Sequence, residues 1–210
     1  MGWFDFVRSP TGATVNTLNI PIFPLDTVFF PGGVLPLKIF EQRYLDMAAN
    51  CMRENSPFGI CLIANGGETG LAAEPHMVGT IATIGNWEME QLGILMITAK
   101  GGRRFRIMEA KTDPGNLLQA SVEILAEAMP IALPSERKCL LPLLERVVRD
   151  LGTERIPEPH QYDDAEWVGY RITEVLPINN LAKQKLLELE DPLVRLEILE
   201  KFLDQRNLLG

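Results

Sequence analysis

Nucleophilic catalysis needs a Ser, Cys, Thr or Lys beside a base that a third group orients. The chain has four serines, Ser9, Ser56, Ser121 and Ser135, and none stands in a G-x-S-x-G turn that would lift its hydroxyl clear of a sheet. Its two histidines, His76 and His160, each follow a proline, a setting that favours an exposed loop imidazole over a positioned base. Metal binding would draw His, Cys and carboxylates together at short spacings. The nearest approach is Glu158-Pro159-His160 with Asp163 and Asp164, which reads as a solvated connector. Cys51, Cys61 and Cys139 are odd in number, and the spacing of the first two matches no zinc or redox motif. They are expected to be reduced, buried thiols in a cytoplasmic protein. The glycine-rich stretch Asn65 to Gly70, NGGETG, lacks the lysine and neighbouring hydroxyl of a phosphate-cradling loop. No catalytic residue, metal or cofactor is therefore expected.

Nucleic acid fits poorly as a ligand. The net charge is −8, whereas phosphate binding needs a surplus of Lys and Arg on one face. The cluster Lys100, Arg103, Arg104 and Arg106 is the exception. Alternation places Arg104 and Arg106 on the wet face of a strand whose other face carries Phe105 and Ile107, with Glu88 and Glu90 of a neighbouring strand as pairing partners.

Exposed apolar side chains are what a polypeptide binder needs. The candidates are Phe29 and Phe30, beside the turn Pro31-Gly32-Gly33, and Trp87, Met89 and Leu92, near the tip of a hairpin at Glu88 to Gln91. Phe29 and Trp87 would equally serve as core.

The elements that position these residues follow from periodicity. From Leu18 to Leu37 four prolines exclude a continuous helix, leaving short extended pieces. Phe40, Tyr44, Met47, Ala48 and Cys51 form one apolar stripe on a helix that ends near Asn55, before Ser56-Pro57. Phe58 to Ala64 reads as a buried strand. Further strands are expected at Met77 to Glu90, Gly93 to Lys100 and Arg103 to Glu109, with Gly101-Gly102 as a hairpin turn, and a last one at Leu117 to Leu125. Beyond Pro130 the period changes to 3.6. A helix through Leu140, Leu144 and Val148 is bent at Pro142 and ended by Gly152. A second begins after Asp163 or Asp164, a third spans about Leu181 to Leu189, and a fourth opens at Asp191-Pro192 with an acidic cap and proline in the first turn. On that last helix Leu193, Leu196, Leu199, Phe202 and Leu203 are expected to face the core.

Residues 20 to 44, IPIFPLDTVFFPGGVLPLKIFEQRY, resemble the opening of the Lon protease N-terminal, substrate-binding domain family. The similarity continues in order through Phe58-Gly59, Val78-Gly79-Thr80 and Gly102 to Ile107. It resumes at Leu176-Pro177, Lys183 to Leu187 and Arg195-Leu196. The resemblance implies an α+β fold, a mostly antiparallel PUA-like β pseudo-barrel with an inserted helix followed by a C-terminal helical bundle. It also implies recognition of polypeptides. The expected division is a tail at 1–16, a β-rich subdomain at 17–129 and a helical subdomain at 130–210. The sequence lacks the ATPase and peptidase modules of full-length Lon proteases, so the expectation is a stand-alone, non-catalytic binder of unfolded or specific client polypeptides. A separate protease or chaperone is its expected associate, in the cytoplasm, with no membrane or nucleic-acid partner. The competing expectation is an enzyme or binder acting on a small molecule between the β and helical parts.

Overall fold

The computed structural model describes residues 5–8, 14–127 and 129–209. The chain divides into two compact units, one of residues 1–31 with 35–126, the other of residues 32–34 with 127–210.

The first unit is built on an eight-stranded, mostly antiparallel sheet. Its strands are β1 (Asp5–Arg8), β2 (Thr14–Leu25), β3 (Val34–Ile39), β4 (Phe58–Asn65), β5 (Glu74–Pro75), β6 (Val78–Gln91), β7 (Ile94–Thr112) and β8 (Leu118–Ile124), and α1 (Gln42–Glu54) is inserted between β3 and β4. The hydrogen-bonded order runs β2-β8-β7-β6-β4. A parallel pairing of Ile22 to Leu25 with Gly59 to Leu62 then joins β4 back to β2, closing a ring of five strands. Inside lie Ile20, Ile22, Phe105, Ile107 and Val122. Two glycines make room there. A Cβ on Gly59 would lie 2.6 Å from the Phe105 ring, and one on Gly79 would meet the Ile60 carbonyl oxygen and lie 2.5 Å from Cys61 Sγ. The stripe of α1, Tyr44, Met47, Ala48 and Cys51, packs on Phe23, Ile39, Phe58 and Ile97 as a second apolar layer. Asn55, in the left-handed region at φ 48°, ends the helix.

Gly101-Gly102 does not turn the chain. It lies inside β7, where the register against β6 shifts between the pairs Thr80–Arg104 and Ala82–Gly101. Such a shift bends a strand without reversing it, and a ring of strands needs bends. The reversal sits at Leu92-Gly93, where Gly93 has φ 84°. The expected wet face is also corrected. Arg104 is only 5% exposed, and Glu88 stands opposite Met96 rather than an arginine.

The second unit holds a 3-10 turn (Ser135–Leu140), α2 (Leu141–Leu151), α3 (Ala165–Val175), α4 (Asn180–Glu188) and α5 (Pro192–Gln205). Leu140, Leu144, Val168, Ile172, Leu196, Leu199 and Leu203 form its core. Pro142 lies in the first turn of α2 and bends nothing, since an amide is dispensable there. Asp164 caps α3 by accepting from the Trp167 amide at 2.7 Å, and Asp191 caps α5 through the Leu193 amide at 2.8 Å. Two arginines are buried in the unit. Arg195 donates to the Leu186 and Leu189 carbonyls at the end of α4, at 2.9 and 2.6 Å, and lies 4.2 Å from the centre of the Tyr170 ring. Arg171 donates to the Gly32 carbonyl at 3.0 Å and approaches Glu174 at 3.2 Å. Cys139 is exposed while Cys51 and Cys61 are buried, so burial holds for two of the three thiols.

Candidate functional site

The sequence candidates divide by burial. Phe29 is 3% exposed and Phe30 is 0% exposed. The carbonyl of Phe29 accepts the buried Thr80 hydroxyl at 2.5 Å. Both phenyl rings are therefore core, and the expectation that they present a docking surface is corrected. Their place beside a Pro-Gly turn suggested exposure, but the chain enters that turn from inside the apolar layer. Trp87, Met89 and Leu92 are instead 60%, 54% and 100% exposed. All three lie on the arm formed by the end of β6 and its turn into β7. Trp87 is opposite Ile97 and Met89 opposite Leu95 in the ladder, and opposed residues share a face. Ile97 and Leu95 are buried in the core. Trp87 and Met89 thus carry the core's apolar face out into solvent along the arm.

Two concavities accompany this arm. In the β unit a cavity of about 170 Å³ lies between β2, β3, the start of α1 and the loop after β4, lined by Phe23, Leu25, Leu37, Phe40, Tyr44 and Glu68 among others. Phe23 and Tyr44 stack at 4.1 Å between ring centres. The loop wall is tied down by a polar network. Glu41 accepts the Gly70 amide at 3.0 Å and pairs with Arg43 at 2.8 Å. Arg43 donates to the Asn116 carbonyl at 2.8 Å, while the Asn116 side chain bonds Ala72 and Gly70. In the helical unit a groove of about 460 Å³ runs between α4 and α5, lined by Leu176, Ile178, Leu189, Ile198 and Phe202. Sequence reading missed both. The groove had a signal, because apolar residues on α5 exceed one face: Val194 and Ile198 stand outside the expected stripe and are exposed, and Leu193 is 37% exposed rather than core. The cavity had none, because its walls come from β2, β3, α1 and the loop after β4, whose meeting depends on the fold rather than on any local pattern.

Among the described residues no three His, Cys, Asp or Glu side chains converge as metal ligands. His160 bonds the Ile156 carbonyl at 3.1 Å and packs against Tyr162 and Trp167. His76 contributes its amide to the Leu62 carbonyl. Among the described residues neither imidazole has a hydrogen bond to a Ser, Thr, Cys or Lys side chain.

The β unit thus joins a closed ring of strands to an exposed apolar arm and a shallow concavity. The family model for the ATP-dependent protease La (LON) substrate-binding domain matches residues 19–205, and the chain belongs to that family. A solved Lon N-terminal domain protein from Xanthomonas campestris is 32% identical with a TM-score of 0.73, over 87% of this chain and 97% of that one. The N-terminal domain of a Mycobacterium avium complex Lon protease, 23% identical with a TM-score of 0.59 over 86% of this chain and 95% of that one, shares the fold. Lon protease 2 of Myxococcus xanthus is 27% identical over 202 residues, 90% of this chain and 24% of its own. Protein cereblon of Gallus gallus is 31% identical over 120 residues, 55% of this chain and 25% of its own. The chain thus spans about a quarter of the length of these curated relatives.

Proposed function

We propose that this chain is a non-catalytic module that binds exposed apolar segments of polypeptides and delivers them, as an adaptor in protein quality control, to a separate protease or chaperone. The observation that carries the reading is the match of residues 19–205 to a substrate-binding domain, joined to an arm that holds Trp87, Met89 and Leu92 in solvent. Aromatic and Met side chains suit varied apolar partners, because large flexible surfaces repack around different sequences. In this reading the five-stranded ring is a PUA-like pseudo-barrel, residues 17–129 and 130–210 act as β-rich and helical subdomains, and the module works in the cytoplasm. In keeping with that, no helix among the described residues is long and apolar enough to cross a membrane.

The test is a titration of the pure chain against one labelled protein in folded and in permanently unfolded form, followed by a degradation assay. Binding of the unfolded form alone supports the module. Faster degradation of that client by the host's ATP-dependent protease on adding the chain supports the adaptor role. Equal or absent affinity for both forms refutes the first, and an unchanged degradation rate refutes the second.

A further inference from the structure

The cavity beside α1 is built more specifically than an apolar dimple. Tyr44 lines it, is only 5% exposed, and stacks on Phe23, yet its hydroxyl makes no hydrogen bond among the described residues. The ring is held in the apolar layer while the hydroxyl is not among the fully buried polar atoms, so it is free to meet a ligand in the cavity. Glu68 lines the same cavity. One of its carboxylate oxygens accepts the Asp26 amide at 2.7 Å, and the other has no partner among the described residues. The neighbouring charges are committed. Glu41 is held by Gly70 and Arg43, and Arg43 by Glu41 and Asn116, its Nη2 staying buried outside the cavity lining without an acceptor among the described residues. Lys38 stands at the mouth with interactions of its own. What the lining offers a ligand is a pair of acceptors, the Tyr44 hydroxyl and the exposed Glu68 carboxylate, within walls of Phe23, Leu37 and Phe40. Burial is the main cause that pushes the Tyr44 phenol above its ordinary value. Arg43 opposes that rise, and Glu41 and Glu68 add to it, so the hydroxyl is in its protonated form and feels both carboxylates.

A ligand complementary to this arrangement has an apolar stem and a cationic donor at its tip. Lys and Arg side chains have that form, burying methylenes while the head finds an acceptor. The volume of about 170 Å³ admits one such side chain and excludes a whole folded element. We propose that this cavity anchors one Arg or Lys side chain of a bound polypeptide, Glu68 and the Tyr44 hydroxyl receiving the cation and Phe23, Leu37 and Phe40 covering its stem. This rests on the polypeptide-binding reading above and adds a preference to it: apolar segments that carry a basic residue are held more tightly than those that do not.

The test uses the full chain and N-acetylated, C-amidated apolar peptides identical except at one central position, which is Arg, Lys, Leu or Glu. Fluorescence anisotropy at fixed ionic strength should give Arg and Lys peptides about tenfold tighter binding than Leu, with Glu weakest, the size expected for one charge-assisted hydrogen bond. Tyr44→Phe keeps the ring stack, and Glu68→Gln keeps the shape. Each should cancel most of the preference for Arg and Lys while leaving the Leu peptide's affinity within twofold. Lys38→Gln should act oppositely and strengthen the basic peptides. A free-amine version of the Leu peptide separates capture of a chain terminus from capture of a side chain, and tighter binding of it than of the Arg peptide would overturn the assignment. Equal affinities for Arg, Leu and Glu would overturn it too, as would the reversed order of effects for Glu68→Gln and Lys38→Gln. If unfolded protein binds but the basic peptides gain nothing, the cavity assignment fails alone. If neither unfolded protein nor any peptide binds, the underlying reading fails with it.

Discussion

Replacing Trp87 and Leu92 together with serine should weaken capture of an unfolded chain by about 150-fold, the product of the two single effects, and leave the protein folded. Trp87 is 60% exposed. Of a side chain that buries up to about 250 Å², roughly 150 Å² is then open to a client. At about 25 cal/mol per Å² that is worth on the order of 4 kcal/mol if fully covered. Association entropy and incomplete cover reduce the yield, and truncation of a good interface anchor returns about 2 kcal/mol, or roughly thirtyfold in affinity. The part of Trp87 already buried against the Ile97 side of the arm is about 100 Å², so its loss costs about 2 kcal/mol of folding stability, tolerable against the 5–15 kcal/mol typical of a domain. Leu92 is 100% exposed, and Leu92→Ser should leave stability unchanged while weakening binding by about fivefold, because its contact surface exists only in the complex. The assay is anisotropy of a labelled, permanently unfolded protein titrated with parent, single and double variants, with urea unfolding as the stability control. A folded double variant that binds within twofold of the parent would refute the placement of the client on this arm.

Gly79→Ala drives a methyl into the Ile60 carbonyl and to 2.7 Å from the Phe105 ring; it should cost about 2–3 kcal/mol, read as a drop in the urea midpoint, and an unchanged midpoint would mean the ring interior is slack. Arg195→Lys cannot span the Leu186 and Leu189 carbonyls and stack on Tyr170 as the guanidinium does, so a loss of about 2–3 kcal/mol is expected in the same measurement. Thiol labelling of the native protein should modify Cys139 at once and spare Cys61, whose thiol burial pushes far above its ordinary value; rapid native labelling of Cys61 would contradict its burial. Burial also raises the Glu174 carboxyl above its usual 4.5, outweighing Arg171, Arg155 and Lys183, which lower it. The folded state therefore holds that proton where the unfolded state has lost it, and this contribution to stability fades as pH rises from about 4.5 through the raised value. Urea midpoints of parent and Glu174→Gln should diverge across that window, the parent falling relative to the variant, and parallel curves would reject the shift.

Local signals in the sequence proved dependable where a single side chain decides the backbone. Asp191-Pro192 and Asp164 cap their helices at the expected places, since an Asp acceptor and a proline without an amide act within one turn. Four of the five stripe residues, Tyr44, Met47, Ala48 and Cys51, are buried on α1 as the 3.6 period requires, while Phe40 precedes the helix and is 58% exposed. Gly101-Gly102 misled because glycine relaxes the backbone equally for a turn and for a bend, and only the pairing of β6 with β7 selects between them. Phe29 and Phe30 misled for a related reason: adjacency to a turn says nothing about which way a ring faces, and the apolar layer under α1 claims Phe29. The exposed arm was half legible. The exposure of Trp87, Met89 and Leu92 on a hairpin agrees with the sequence, while the reversal falls at Leu92-Gly93, just past the expected tip at Glu88 to Gln91. The Tyr44 cavity could not be read at all, because Phe23, Leu37 and Glu68 meet only through the closed ring and the Asn116 network.

The closure of β4 onto β2 bears on how a client is let go. Strands outside the ring are short: β5 has two residues, β1 four, and β3 six with Pro36 among them. Among the described residues β4 pairs β6 at Thr80 to Ala82, so along the arm from Thr83 to Gln91 the edge of β6 away from β7 is where an extended client could add to the sheet. That edge is broken by the register shifts at Ile84/Asn86 and Met89/Gln91, so strand addition there stays short and comes apart piece by piece, and a holder of sticky chains can release them without being drawn into a fibre.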